Sequence, residues 1–136
     1  MYLKLPLLIS LLLLSIGCQE KAKPIISKNA KLQAPLGCLK LGLLEEDGEF
    51  VKTLHTLYSF KKDCPYRLSF SYKKDIVCNS SYNVSMKNMG KFPRSFVKLE
   101  VRNGLDSLYS YYVDLYSNVD EDDVVDGFLQ LKKDVL

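Results

Sequence analysis

The sequence predicts a mainly β domain: an antiparallel β-sandwich or small barrel of six or seven strands, with one C-terminal α-helix. Three observations carry that expectation. Apolar and polar side chains alternate in run after run between Leu39 and Leu115, the period-two pattern of half-buried strands. Asp47-Gly48 and Asn103-Gly104 are two-residue hairpin signals. After Asp120 the period changes, and Val124, Phe128, Leu131 and Val135 recur at helical spacing.

The elements follow in chain order. Leu39, Leu41 and Leu43 alternate with Lys40 and Gly42. Beyond Asp47-Gly48, residues 49–60 admit two readings. Phe50, Leu54, Tyr58 and Phe60 share one strand parity, while Phe50, Val51, Leu54, Leu57 and Tyr58 also fit a helical face. The Asp-Gly turn and the threonines favour the strand. Tyr66, Leu68, Phe70 and Tyr72 form a clean alternation, as do Tyr82, Val84 and Met86. Val97, Leu99 and Val101 face one way and Phe96, Lys98, Glu100 and Arg102 the other. Asn103-Gly104 suits a type I′ turn, and Tyr109, Tyr111, Val113 and Leu115 then line one side of the last strand. A helix over about 119–136 begins at the acidic stretch Asp120–Asp123 and ends near Lys132-Lys133, as the helix dipole favours. Gly127 inside it costs about 1 kcal/mol relative to Ala, so the helix should depend on docking against the sheet.

Composition removes several classes. With 136 residues the chain has room for one domain. Its 47% hydrophobic and 26% charged residues exclude a disordered chain or a disulfide-dense scaffold. A net charge of +3 gives no case for nucleic acid as a partner. One His and no Trp leave few parts for metal or acid–base chemistry. The sequence has no glycine-rich phosphate loop, no G-x-S-x-G elbow and no paired-acid catalytic constellation. No catalytic residue, cofactor or metal is therefore expected. The acidic run lacks the alternating ligands and central Gly of a calcium loop.

The N-terminus is the most telling stretch. One Lys precedes an apolar run, Leu5–Ile16, which stops at Gly17-Cys18. At about a dozen residues the run is too short to span a bilayer and has the plan of a secretory signal peptide over residues 1–17. Leu14-Ser15-Ile16-Gly17-Cys18 resembles the lipobox of bacterial lipoproteins cut by signal peptidase II, with Ser15 where that family prefers Leu. The resemblance implies acylation of Cys18, palmitate included, and a bilayer as a partner. Acyl chains add about 0.8 kcal/mol per buried methylene, so such a Cys is a firm anchor. Gln19, in place of the Asp that commonly retains lipoproteins in the inner membrane, resembles the outer-membrane pattern of Gram-negative bacteria. That would place the protein on the periplasmic face. Residues 18–36, with Lys21, Lys23, Lys28 and Lys31, read as a basic flexible tether whose lysines either meet anionic headgroups or merely keep it solvated. Residues 37–136 read as the single domain.

An exported chain folds in an oxidising compartment, so a disulfide is expected. With Cys18 acylated, Cys38, Cys64 and Cys78 remain for one bridge and one thiol. Cys64–Cys78 is the first choice because it pins a single hairpin region. A thiol nucleophile would need His55, the only His, which has no orienting motif around it.

Two asymmetries bear on partners. Residues 114–136 carry seven acids and two lysines, a net of −5, while residues 18–113 carry sixteen bases and nine acids, a net of +7. Either this steers a charged partner, or it is a capped helix beside ordinary strand faces. Leu108, Tyr112 and Tyr116 share the second parity of the last strand, a side too apolar to be wholly wet. The helix should cover it, or it is a protein-binding face. Two functions stay open. One is a non-catalytic protein-binding or structural lipoprotein, for instance in a secretion or envelope-assembly complex, whose small β-sandwich lipoproteins look similar in size and plan. The other is a small-ligand binder or inhibitor resembling the periplasmic lysozyme inhibitors, although the Trp- and Gly-containing signatures of those are missing.

Overall fold

In a computed structural model, which describes residues 21–42, 48–77 and 92–136, the alternating runs join into one sheet. Strand β1 is Ile25–Lys28, β2 is Lys40–Leu41, β3 is Tyr66–Lys73, β4 is Ser95–Asn103 and β5 is Asp106–Leu115. Helix α1 is Val51–Leu57 and helix α2 is Glu121–Val135. The strands lie in the order β1-β5-β4-β3-β2. The fold is mainly β with a C-terminal helix, as the sequence predicts. Among the described residues it has five strands in one open sheet, where six or seven in a sandwich or barrel were expected. The second layer is α-helix: the stripe Val124, Phe128, Leu131 and Val135, fully buried, packs on the sheet side formed by Leu68, Val97, Leu99, Val101, Tyr111 and Val113.

Alternation set the long strands correctly. Val97, Leu99 and Val101 are fully buried while Phe96, Lys98, Glu100 and Arg102 are half-buried. The β4–β5 hairpin forms where Asn103-Gly104 marks it, but Asn103 pairs with Asp106 and the loop is Gly104-Leu105. Only Gly104 has positive φ there, +57°, which is the type II′ requirement and not the I′ one. An irregularity after Val101 lets Leu108 enter β5 as an extra residue, since Val101 pairs with Tyr109 and Arg102 with Ser107.

Residues 49–60 hold α1, not a strand. Phe50, Leu54 and Tyr58 are spaced by four, an even number that satisfies a period of two and also one helical turn, so parity could not separate the readings. The threonines are used inside the helix: Thr53 Oγ1 donates to Glu121 at 2.7 Å and Thr56 Oγ1 to the Thr53 carbonyl at 2.7 Å. Gly48 accepts from the Val51 amide at 3.1 Å at the helix entrance. Because α1 intervenes, β2 runs parallel to β3, a connection that antiparallel neighbours would not need. The expected strands at Leu43 and at Tyr82–Met86 fall outside the described residues.

The basic stretch read as a tether is part of the sheet from Lys21 onward. β1 pairs antiparallel with β5, Ile25 opposite Tyr112 and Lys28 opposite Tyr109, and Lys21 bridges to Leu115. Three of its four lysines are committed within the molecule: Lys21 to Asp123 at 2.8 Å and Asp126 at 3.1 Å, Lys28 to Asp134 at 2.8 Å, Lys31 to Asp106 at 3.0 Å. Lys21 and Lys28 thus pair with three of the seven acids of the acidic end, complementary charge inside one fold.

Helix α2 starts on a capping box in which Asp120 and Asp123 each accept the other's backbone N–H at 3.1 Å. Gly127 faces the sheet so closely that a Cβ would meet Tyr111 Cε1 at 2.9 Å and Leu99 Cδ1 at 3.2 Å. The glycine is the contact point, not a flaw in the helix. Among the described residues no helix is long and apolar enough to cross a membrane.

The disulfide joins Cys38 to Cys64, with Cα atoms 6.0 Å apart, and not Cys64 to Cys78. The parallel register sets Lys40 beside Arg67, which brings the approaches to β2 and β3 together and the two cysteines with them. Closing 26 residues stabilises by about 3.5 kcal/mol in the chain-entropy picture. Cys78 lies outside the described residues, as does Cys18.

Candidate functional site

The sheet has a covered side and an open one, and the open side is the candidate site. Pairing lays it out as rows: Asp114, Phe96 and Lys73; Tyr112, Lys98 and Ser71; Ser110, Glu100 and Ser69; Ser107, Arg102 and Arg67. Every one of these side chains is half-buried or exposed. Helix α2 was expected to cover the Tyr112 parity. It covers Tyr111 instead, because the bulkier apolar set Tyr109, Tyr111, Val113 and Leu115 demands burial first.

Within the open side one aromatic pair stands among charges. Phe96 and Tyr112 stack with centroids 5.5 Å apart and planes 27° apart. The Tyr112 hydroxyl donates to Asp114 Oδ1 at 2.7 Å. Burial, then that bond and the Asp114 charge, push the phenol up to about 12. Glu100 lies 3.6 Å from both Lys98 and Arg102. Burial alone would raise its carboxyl, but a Ser107 hydrogen bond and the two cations outweigh that and hold it below its ordinary range. Arg102 Nη2 donates to the Leu105 carbonyl at 2.8 Å, while its buried Nε has no partner among the described residues. The arrangement suits recognition of a polar surface with an aromatic centre.

The three residues read as one protein-binding face separate. Tyr112 is on the open side. Tyr116 stands exposed just past the end of β5. Leu108 is 4% exposed and lies outside the main core cluster, since the irregularity in β5 breaks the parity that grouped it with Tyr112. Phe96 and Lys98 are the members the sequence reading left out. Their signal was the polar parity of β4, which was legible, but their neighbourhood to Tyr112 depends on register.

Other candidates resolve by position. His55 is exposed on α1, edge-on to Phe60 at 5.5 Å, and Cys64, the nearest of the reactive-thiol candidates in sequence, is in the disulfide. Among the described residues no group of three or more His, Cys, Asp or Glu is placed to hold a metal ion. Comparison with protein-family models, curated proteins and solved structures finds no match for this chain.

Proposed function

We propose that the protein is a bacterial envelope lipoprotein, anchored by an acylated Cys18, whose domain serves as a non-catalytic protein-binding or structural module. The open sheet side is the observation that carries the binding role. It sets Phe96 on Tyr112, with Arg102 in the charged group beside them, and aromatic residues and Arg are the types enriched at protein interfaces. The lipobox-like Gly17-Cys18 supports the anchor, and a Cys38–Cys64 bridge accords with an oxidising compartment. A place on the periplasmic face of the outer membrane, within a secretion or envelope-assembly complex, fits Gln19 and this plan.

The binding role is tested by installing a photo-crosslinking residue at Lys98 in the full chain in its native membranes. A discrete adduct that disappears with Phe96→Ser or Tyr112→Ser is expected. Adducts that are the same from Lys132, on α2, and indifferent to both substitutions would refute the assignment. Metabolic lipid labelling tests the anchor, and Cys18→Ser should abolish it.

A further inference from the structure

The sequence between the anchor and the folded domain is short. Lys21 is already held by its bridge to Leu115 and by Asp123 and Asp126, so three residue steps separate it from Cys18. Three steps of extended chain span at most about 10 Å. A domain so tied must rest some part of its surface on the bilayer, and the surfaces within reach of Lys21 differ in chemistry.

On one side of Lys21 is the acidic start of α2, where Asp120, Glu121 and Asp122 are exposed. An anionic headgroup layer repels it. On the other side a groove of about 440 Å³ runs between the β1 segment and α2, over a floor of Tyr111, Val113 and Leu115. Leu129, 51% exposed, lines the groove, and β1 beside it carries Ile26 at 38% on the Tyr111 side and Ile25 at 66% on the Tyr112 side. They are three of the six large apolar side chains exposed among the described residues. Lys23 and Lys133 are exposed here and form no ion pair among the described residues.

We infer that the β1–α2 edge lies on the bilayer surface, with Ile25, Ile26 and Leu129 in the headgroup–acyl boundary and Lys23 and Lys133 on anionic headgroups. The inference rests on the proposed acylation of Cys18. Apolar side chains flanked by lysines are the composition of interfacial binding, and the covalent leash makes the contact intramolecular, so weak individual contributions suffice. Docking by an edge stands the sheet upright on the membrane. Ile25 pairs with Tyr112, so this contact brings the β1 end of the open side close to the membrane, and the part of that side on β4 and β3 remains open to a protein alongside.

The absence of Trp from the chain allows a direct test. Leu129→Trp and Leu105→Trp are each made in the full-length acylated protein and reconstituted into phosphatidylethanolamine–phosphatidylglycerol vesicles containing brominated acyl chains. Leu105 is 94% exposed in the β4–β5 turn, at the end of the sheet remote from Lys21. Indole emission at position 129 should shift to the blue and be strongly quenched, while position 105 stays unquenched. Ile25→Trp, at another exposed site, should repeat the result. Lys23→Glu with Lys133→Glu should reduce quenching at 129 in these vesicles and leave it unchanged in vesicles without the anionic lipid. Equal quenching at 129 and 105, or none at either, in protein whose acylated Cys18 peptide is seen by mass spectrometry would overturn edge docking alone. A chain found unacylated overturns the anchor reading and this inference together.

Discussion

Leu68, Val97, Leu99, Tyr111 and Val113 lie beneath α2 and are buried, while Ser69, Lys98, Glu100 and Tyr112, on the same strands, remain half open to water. The backbone is common to both sides, so the difference comes from side-chain parity alone. Under the helix, dispersion and apolar burial dominate, and a lost methylene leaves a void. On the open side, the contacts are an aromatic stack and water-screened charges, each worth little. One side therefore holds the fold together, and the other can change its residues for a partner with little cost to stability.

The comparison is broken most directly at Phe128. Its ring is fully buried, 6.1 Å from Tyr58 and 6.2 Å from Phe60. Phe128→Ala should destabilise by about 3–5 kcal/mol, a large share of the 5–15 kcal/mol that holds a domain folded. Lys132→Ala on the exposed side of the same helix should stay within about 0.5 kcal/mol. Urea denaturation of the two variants checks it, and similar midpoints would contradict the docked helix.

Gly127→Ala separates helix propensity from packing. Propensity alone would stabilise by about 1 kcal/mol. The added methyl would sit 2.9 Å from the Tyr111 ring, and overpacking of that kind costs about 1–3 kcal/mol. A net loss of about 1–2 kcal/mol is expected in the same assay. A more stable variant would show that α2 does not approach the sheet this closely.

How much of this could be read from the chain depends on the reach of each interaction. The parities of β4 and β5, the capping of α2 and its stripe are local and periodic, and they were legible. The identity of residues 49–60 was not, because Phe50, Leu54 and Tyr58 serve both periods. The place of residues 21–31 was hidden for a different reason. Ile25-Ile26 is too brief to read as a strand, and its pairing with Tyr111 and Tyr112 and the ion pairs of Lys21 and Lys28 reach about a hundred residues along the chain. The disulfide was misread by the same logic: proximity in sequence favoured Cys64–Cys78, whereas the parallel register of β2 on β3 brings Cys38 to Cys64. Of the open side, the Tyr112 parity admitted two readings, ground for the helix or a binding face, and the stack on Phe96 is diagonal, since β4 sets Lys98 opposite Tyr112 and Phe96 opposite Asp114.

A pH titration sharpens the comparison at the rim of the covered side. Asp134 accepts from Lys28 at 2.8 Å, Tyr109 Oη at 2.8 Å and Gln130 at 3.0 Å. Burial would raise its carboxyl, but these bonds outweigh it and hold it below the ordinary value of 3.8. A lowered pKa in the fold means stability that is fully present above the ordinary carboxylate range. It is lost as pH falls through the lowered value. Asp134→Asn should therefore cost about 1 kcal/mol near neutrality, and it should flatten part of the acid limb of a stability–pH profile below about pH 4. Identical acid limbs for the two proteins would remove Asp134 from this role.

The smallest effect is expected at the centre of the open side. Phe96 stacks on Tyr112 and is only half-buried, and such a pair contributes about 0.5–1.5 kcal/mol. Phe96→Ala should lower stability by about 1 kcal/mol or less, several-fold below the Phe128→Ala loss. In a double-mutant cycle, Phe96→Ala and Tyr112→Ala should be sub-additive, because either substitution alone already dismantles the stack. Additive losses would mean the rings lie near one another without interacting. A loss at Phe96 as large as that at Phe128 would be more consequential. It would mean that this side is as dry as the other, as a second sheet packed on it would make it, and the open side could not then be the surface that a partner meets.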